Sequence, residues 1–301
     1  MSVSKSNPRI GLSCALSTAF LPNGAIDLPR TLAQARWVLD NGCDSVTMFG
    51  TTGEGASIDL AERHAALGAL AGAGFDLPKQ IIAGVTAATI GETVEQCRAG
   101  YDYGCRALLL APPFYFPDPS EEGMFRWYAA VFERLGGRLR DVLIYHIPSM
   151  TRVAFSPALL GRLRKAFPEA VIGIKDSTGS WESAKSFLDA HKDLQILVGD
   201  ERLLARAVRE GGSGSICGLA NLRPDILRPA AWEGKDDPRI AACVTAIIAD
   251  PFMPAVKALI AWRQKDPEWL RMRAPVIELD AARARALELR FDAATASVAA
   301  E

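Results

Sequence analysis

Val171-Ile172-Gly173-Ile174-Lys175 is a run of uncharged, mostly β-branched residues that ends, without alternation, on a lysine. A strand with one wet face alternates apolar and polar side chains. A short unbroken run suits a strand buried on both faces of a parallel sheet. Seven further runs of this kind begin near Ile10, Asp44, Gln80, Arg106, Asp141, Gln195 and Gly214. Their starts recur about every 29 residues, the size of one βα unit. Between them lie stretches with helical spacing. Arg30–Asp40 and Leu60–Ala71 are two. A third, Met124–Leu135, opens on Ser120-Glu121-Glu122, where the helix dipole favours acids. Eight such units close a (β/α)₈ barrel. A doubly wound open sheet is the competing architecture, but its glycine-rich nucleotide turn is absent after the first run, which leads into Ser17-Thr18-Ala19-Phe20-Leu21-Pro22.

After Asn221 the strand pattern stops. Helical segments are expected at Asp225–Trp232, Ile240–Ile248, Met253–Trp262 and Asp280–Arg290, with the last eight residues frayed. The expected organisation is a barrel over 1–221 and a C-terminal helical domain over 222–301. The 301 residues are 49% hydrophobic and 23% charged, which excludes a disordered or fibrous chain. The net charge of −1 suggests no nucleic acid or acidic membrane as partner. The longest apolar stretch, Ala107–Pro117, is broken by three prolines and falls short of the ~18 residues of a membrane helix. The first eight residues hold no apolar core of a signal peptide. Six cysteines without a C-x-x-C pair point to a reduced, cytoplasmic protein with buried thiols.

In a βα barrel the chemistry sits at the C-terminal strand ends. There the sequence places Gly50-Thr51-Thr52-Gly53-Glu54-Gly55, Pro112-Pro113-Phe114-Tyr115-Phe116, Tyr145-His146-Ile147-Pro148, Lys175-Asp176-Ser177 and Gly199-Asp200-Glu201. Of nine lysines, Lys175 alone ends a strand-like run. The other eight stand in polar or helical surroundings where a solvated ammonium is expected. An apolar wall disfavours the charged form of a lysine and leaves an amine nucleophile. The alternative is a buried ion pair with Asp176 or Glu54. The Gly50–Gly55 turn is either a plain helix entry or a cradle of hydroxyls and N–H groups for a small carboxylate or phosphate. Tyr145 is either hydrogen-bonded core or a phenol in the mouth. His146 alternates to the opposite face, as packing or as a base. Glu54, Asp176, Asp200 and Glu201 are expected to form a charge network around the mouth. Three scattered histidines give no metal-ligand spacing, so neither metal nor dinucleotide cofactor is expected. Amine, phenol and carboxylate cradle together select a 2-keto acid, with imine formation followed by C–C bond making or breaking, or loss of water.

These residues resemble the dihydrodipicolinate synthase / N-acetylneuraminate lyase family of class I, pyruvate-type aldolases. The landmarks are G-T-T-G-E at Gly50–Glu54, P-P-F-Y at Pro112–Tyr115, Y-H-I-P at Tyr145–Pro148, G-I-K at Gly173–Lys175, G-D-E from Gly199 and G-G-S-G-S-I from Gly211. The resemblance implies a (β/α)₈ barrel with a C-terminal helical domain and a homotetramer built as a dimer of dimers. It implies that Lys175 forms the Schiff base, that Thr51 and Thr52, with Gly50 opening their turn, hold the keto-acid carboxylate, and that Tyr145 carries protons. Tyr115 matches a tyrosine supplied across the dimer interface, and Gly199 and Ile216 match the pocket floor. Met150 stands where synthases of this family carry an arginine that grips the second substrate. Ser177 replaces the usual threonine two past the lysine, and Arg152 replaces a small glycine of the lyase branch. If the segment is extended, Met150 and Arg152 point to one side, and Arg152 either reads the acceptor or pairs with an acid on the rim.

The expected activity is a class I aldolase or lyase joining or releasing pyruvate, or a related 2-keto acid, and an aldehyde. The alternatives are dihydrodipicolinate synthase itself, a 2-keto-3-deoxy acid dehydratase, and, from another class, a catalytically idle keto-acid-binding protein.

Overall fold

A computed structural model describes residues 9–296. Eight strands run in parallel: β1 Gly11–Ala15, β2 Ser45–Met48, β3 Ile81–Val85, β4 Ala107–Leu110, β5 Val142–His146, β6 Val171–Asp176, β7 Gln195–Val198 and β8 Gly214–Cys217. Each pairs with the next, and β1 pairs with β8, so the sheet is a closed barrel. The expected runs begin within a residue or so of these strands, because strands covered on both faces carry an unbroken apolar signature.

Alternation along each strand divides the core in two. Leu12, Cys14, Val46, Met48, Leu108, Leu110, Ile144, Ile174 and Ile196 face outward and pack under the helices. Ala15, Ile82, Ala107, Leu109, Leu143, Tyr145, Leu197 and Ile216 fill the barrel. Small and apolar side chains thus fill the middle of the barrel. Among the polar side chains inside the barrel, Ser13 Oγ and Thr47 Oγ1 pair at 2.9 Å.

The helices start where side chains satisfy their free N–H groups. Ser120 caps Glu121–Leu135 through the N–H of Gly123, and Asp59 and Glu62 form a capping box at Leu60–Gly72. Beyond β8, the helix Pro224–Glu233 packs on β1 and β8 and serves as the barrel's eighth outer helix. It lies on the far side of the expected boundary at 221/222. The helices Pro238–Ile248, Phe252–Gln264 and Ala281–Ala296 pack on one another. The last of these carries the chain in helix through 294–296, where fraying was expected. Residues 297–301, and the first eight on which the leader reading rests, lie outside the described residues. Among the described residues no single helix is long and apolar enough to cross a membrane.

Candidate active site

Tyr145 and Lys175 are register partners on β5 and β6 and both point into the barrel. Lys175 Nζ donates to Tyr145 Oη at 3.2 Å and sits 4.3 Å from the centroid of the phenol ring. Tyr145 Oη is in turn 3.3 Å from Thr51 Oγ1. Amine, phenol and threonine hydroxyl therefore form one chain at the barrel mouth. Neither expected carboxylate partner reaches Lys175. Asp176, one residue on, faces out of the barrel, with Oδ1 3.2 Å from His146 Nδ1. His146 stands behind the barrel wall between Phe155 and Phe187, as its alternation required. Glu54 is engaged elsewhere.

The Gly50–Gly55 turn is closed by N–H groups of Gly53 and Gly55 donating to Gly50 O at 3.1 and 3.0 Å, and by Glu54 N–H donating to Thr51 O at 3.0 Å. Phe49 and Glu54 adopt left-handed φ values of 57° and 55°. Two glycines admit the Phe49 carbonyl this bend drives inward: a Cβ at Gly55 would lie 1.8 Å from that oxygen, and one at Gly84 on β3 would lie 2.6 Å from it. Among the described residues the N–H groups of Thr51 and Thr52 have no protein acceptor. With two hydroxyls beside them, they are arranged as donors for a small anion.

A feature unforeseen in the sequence holds this turn. Lys257, on the helix Phe252–Gln264, donates from Nζ to Glu54 Oε1 at 2.5 Å and to Arg271 O at 2.7 Å. Arg273 N–H donates to Glu54 Oε2 at 3.0 Å. Lys257 is 1% exposed and lies 4.3 Å from the Phe20 ring centroid. Burial lowers its pKa, against the opposing pull of Glu54. The expectation that eight lysines are solvated thus fails at Lys257. The signal was present: Ala255-Val256-Lys257-Ala258-Leu259-Ile260 is apolar all round, the mark of a buried helix.

The expected acidic network around the mouth is instead four separate arrangements. Glu54 pairs with Lys257. Asp176 faces His146 and accepts from Thr178. Asp200 binds Arg202. Glu201 is buried, accepts from Leu219 N–H at 2.8 Å, and has its carboxyl pushed up by that burial.

Beside Tyr145 and Thr51 lies a cavity of about 290 Å³. Its lining includes Thr51, Tyr145, Ser57 and Thr86, and a largely apolar wall to which Phe114, Ile147, Met150, Met253 and Val276 contribute. Ile216 is fully buried in the barrel interior. Gly199 donates from its N–H to Asp176 O at 2.7 Å, and a Cβ there would strike Ser177 Oγ at 2.1 Å. Ser177 donates from its N–H to His146 O. Gly199 and Ser177 therefore fit each other at the ends of β7 and β6, and neither lines the cavity. Tyr115 is 76% exposed, edge-on to the equally exposed Phe116, and does not line the cavity.

The extended segment expected at Met150–Arg152 is a turn of helix, Pro148–Thr151, with Arg152 ending it at φ 55°. Proline at the first helical position favours this turn. Its curvature separates the two side chains. Met150 lines the cavity, whereas Arg152 opens onto another hollow beside Asp118 and Ser149. All six cysteines are buried and free. Burial pushes Cys97 and Cys105 up to about 12, leaving inert thiols.

The fold is a closed βα barrel with a buried lysine hydrogen-bonded to a tyrosine near the strand C-termini. The family model described as "Dihydrodipicolinate synthetase family" matches residues 9–281, and the chain belongs to that family. An uncharacterized DapA-like lyase of Chloroflexus aurantiacus is 32% identical over 290 residues, 94% of this chain and 96% of the relative. A crystal structure of dihydrodipicolinate synthase from Agrobacterium tumefaciens matches with a TM-score of 0.92 and 44% identity, over 95% of this chain and 99% of that one. The chloride-inhibited dihydrodipicolinate synthase from Acinetobacter baumannii, solved with pyruvate, matches with a TM-score of 0.83 and 26% identity, over 95% and 98% of the two chains. The protein is a lyase of the class I aldolase type.

Proposed function

We propose that the protein joins pyruvate, or a close 2-keto acid, to an aldehyde through a Schiff base on Lys175. One observation carries this reading: a buried amine, free of any carboxylate partner among the described residues, lies within hydrogen-bond distance of a phenol. Nζ adds to C2 of the keto acid, and the C2 oxygen leaves as water to give the imine. Loss of a C3 proton gives the enamine. Its C3 attacks the aldehyde carbon, and the aldehyde oxygen takes a proton from Tyr145 Oη. Water hydrolyses the new imine, which frees Lys175 and a 4-hydroxy-2-keto acid. Thr51 and Thr52 hold the keto-acid carboxylate by hydroxyl and N–H donors, a charge-assisted arrangement. Thr51 also keeps Tyr145 Oη oriented.

The pyruvate bound in the Acinetobacter relative supports the keto acid named here. Dihydrodipicolinate synthase activity is disfavoured by Met150, whose thioether makes none of the contacts of a guanidinium. The exposed Tyr115–Phe116 pair supports a face that a second copy covers in a cytoplasmic dimer of dimers, with Tyr115 reaching the neighbouring site.

The test needs no acceptor. In D₂O the enzyme should exchange the methyl protons of pyruvate, read by proton NMR, and Lys175→Ala should not. Binding of pyruvate without exchange would establish the idle keto-acid-binding protein instead.

A further inference from the structure

We propose that the aldehyde this site accepts is small, with an uncharged and apolar body, and that Met150, Met253 and Val276 select it. The inference rests on the imine reading above and names the second substrate's class.

The first argument is a charge inventory. Lys175 meets the cavity only through Tyr145, a lining residue to which it is hydrogen-bonded. Glu54 reaches the cavity edge already neutralised by Lys257. Arg152 opens onto a separate hollow. Among the described residues the cavity wall therefore offers no cation. An acceptor with its own carboxylate or phosphate would lose water there and gain no counter-charge.

Polarity gives the second argument. Thr151 Oγ1, which also borders the cavity, is already donated to Ile147 O at 3.0 Å. Beyond the Lys175–Tyr145–Thr51 chain, the described lining from this chain offers free hydroxyls only at Ser57 and Thr86. A polyhydroxy aldehyde would leave most of its hydroxyls facing apolar carbon, unpaired. The third argument is size. At about 290 Å³ the cavity is at the lower end of ligand pockets, which span roughly 300–1,000 Å³, and it must also hold the keto acid.

What remains is a wall suited to flat or short apolar groups. Phe114 supplies an aromatic face, and two thioethers, Met150 and Met253, adapt to an irregular apolar outline. Met253, Pro275 and Val276 come from the segment after the barrel, so this region builds part of the specificity surface.

The test is a panel of aldehydes with saturating pyruvate, read by formation of the 4-hydroxy-2-keto acid. Benzaldehyde and butanal are compared with glyceraldehyde and with succinic semialdehyde, which bears a carboxylate. The proposal predicts kcat/KM for the apolar pair about 10²-fold or more above the carboxylated one. Met150→Arg, at a half-exposed position that tolerates a longer side chain, should narrow or invert that ratio. Pyruvate methyl exchange is measured in the same samples. If exchange is present and glyceraldehyde or succinic semialdehyde is preferred, or neither apolar aldehyde reacts, the proposal is overturned and the imine reading stands. If exchange is absent, the imine reading falls and the acceptor proposal falls with it.

Discussion

Among the described residues two lysines are almost completely buried, Lys175 at 5% and Lys257 at 1% exposure, and they are held in opposite ways. Lys257 is held by a carboxylate and a carbonyl, Glu54 and Arg271 O, behind the turn that presents Thr51 and Thr52. Lys175 contacts a phenol and its ring, with no carboxylate in salt-bridge reach among the described residues. Burial alone therefore does not make a lysine a reagent. A counter-charge fixes the ammonium as a brace, whereas a hydroxyl partner leaves the nitrogen available to a carbonyl carbon. The two are linked through one turn. The brace secures Glu54 in its left-handed conformation, and three residues earlier Thr51 meets Tyr145, the partner of Lys175.

The comparison can be broken at either lysine. Lys175→Ala should abolish turnover and leave the melting temperature close to that of the parent, since no ion pair is lost. Activity within about tenfold of the parent would contradict this. Tyr145→Phe keeps the ring and removes the hydroxyl proposed to carry protons, so kcat should fall by about 10²–10⁴-fold. A change confined to KM would make the phenol a binding group only.

Lys257→Met should act on stability first. It leaves the Glu54 carboxylate buried without its cation, a loss of about 3–5 kcal/mol in denaturant unfolding. Adding Glu54→Gln removes the stranded charge and should recover a good part of that loss. A double variant no more stable than Lys257→Met would show that the pair is not the brace described here. The smallest effect is expected at Arg152. Arg152→Ala should change stability by no more than about 0.5 kcal/mol and leave kinetics for both substrates unchanged, because the side chain opens outside the cavity. A raised KM for the aldehyde would restore Arg152 to the acceptor site.

The same contrast explains what could be read in advance. The barrel was legible because its strands are unbroken apolar runs at a regular βα interval, and because alternation alone places Tyr145 and Lys175 inside and His146 and Asp176 outside. The site residues at strand ends follow from that frame. Contacts between distant segments left no periodic trace. Glu54 and Lys257 are 203 residues apart, and nothing in either local pattern names the other. The apolar helix around Lys257 showed that it was buried, but not against what. Met253 and Val276 entered the cavity for the same reason unseen. At Met150–Arg152 a local signal existed in Pro148, and reading it as the first residue of a helical turn separates the two side chains.

The central claim is that Lys175, and not its equally buried counterpart, is the nucleophile. Sodium borohydride added to the enzyme with pyruvate reduces an imine to a stable secondary amine, and peptide mapping by mass spectrometry locates it. The account predicts one pyruvate-derived adduct per chain, on the peptide containing Lys175, and none on the peptide containing Lys257. An adduct on Lys257, or no adduct at saturating pyruvate, would contradict it.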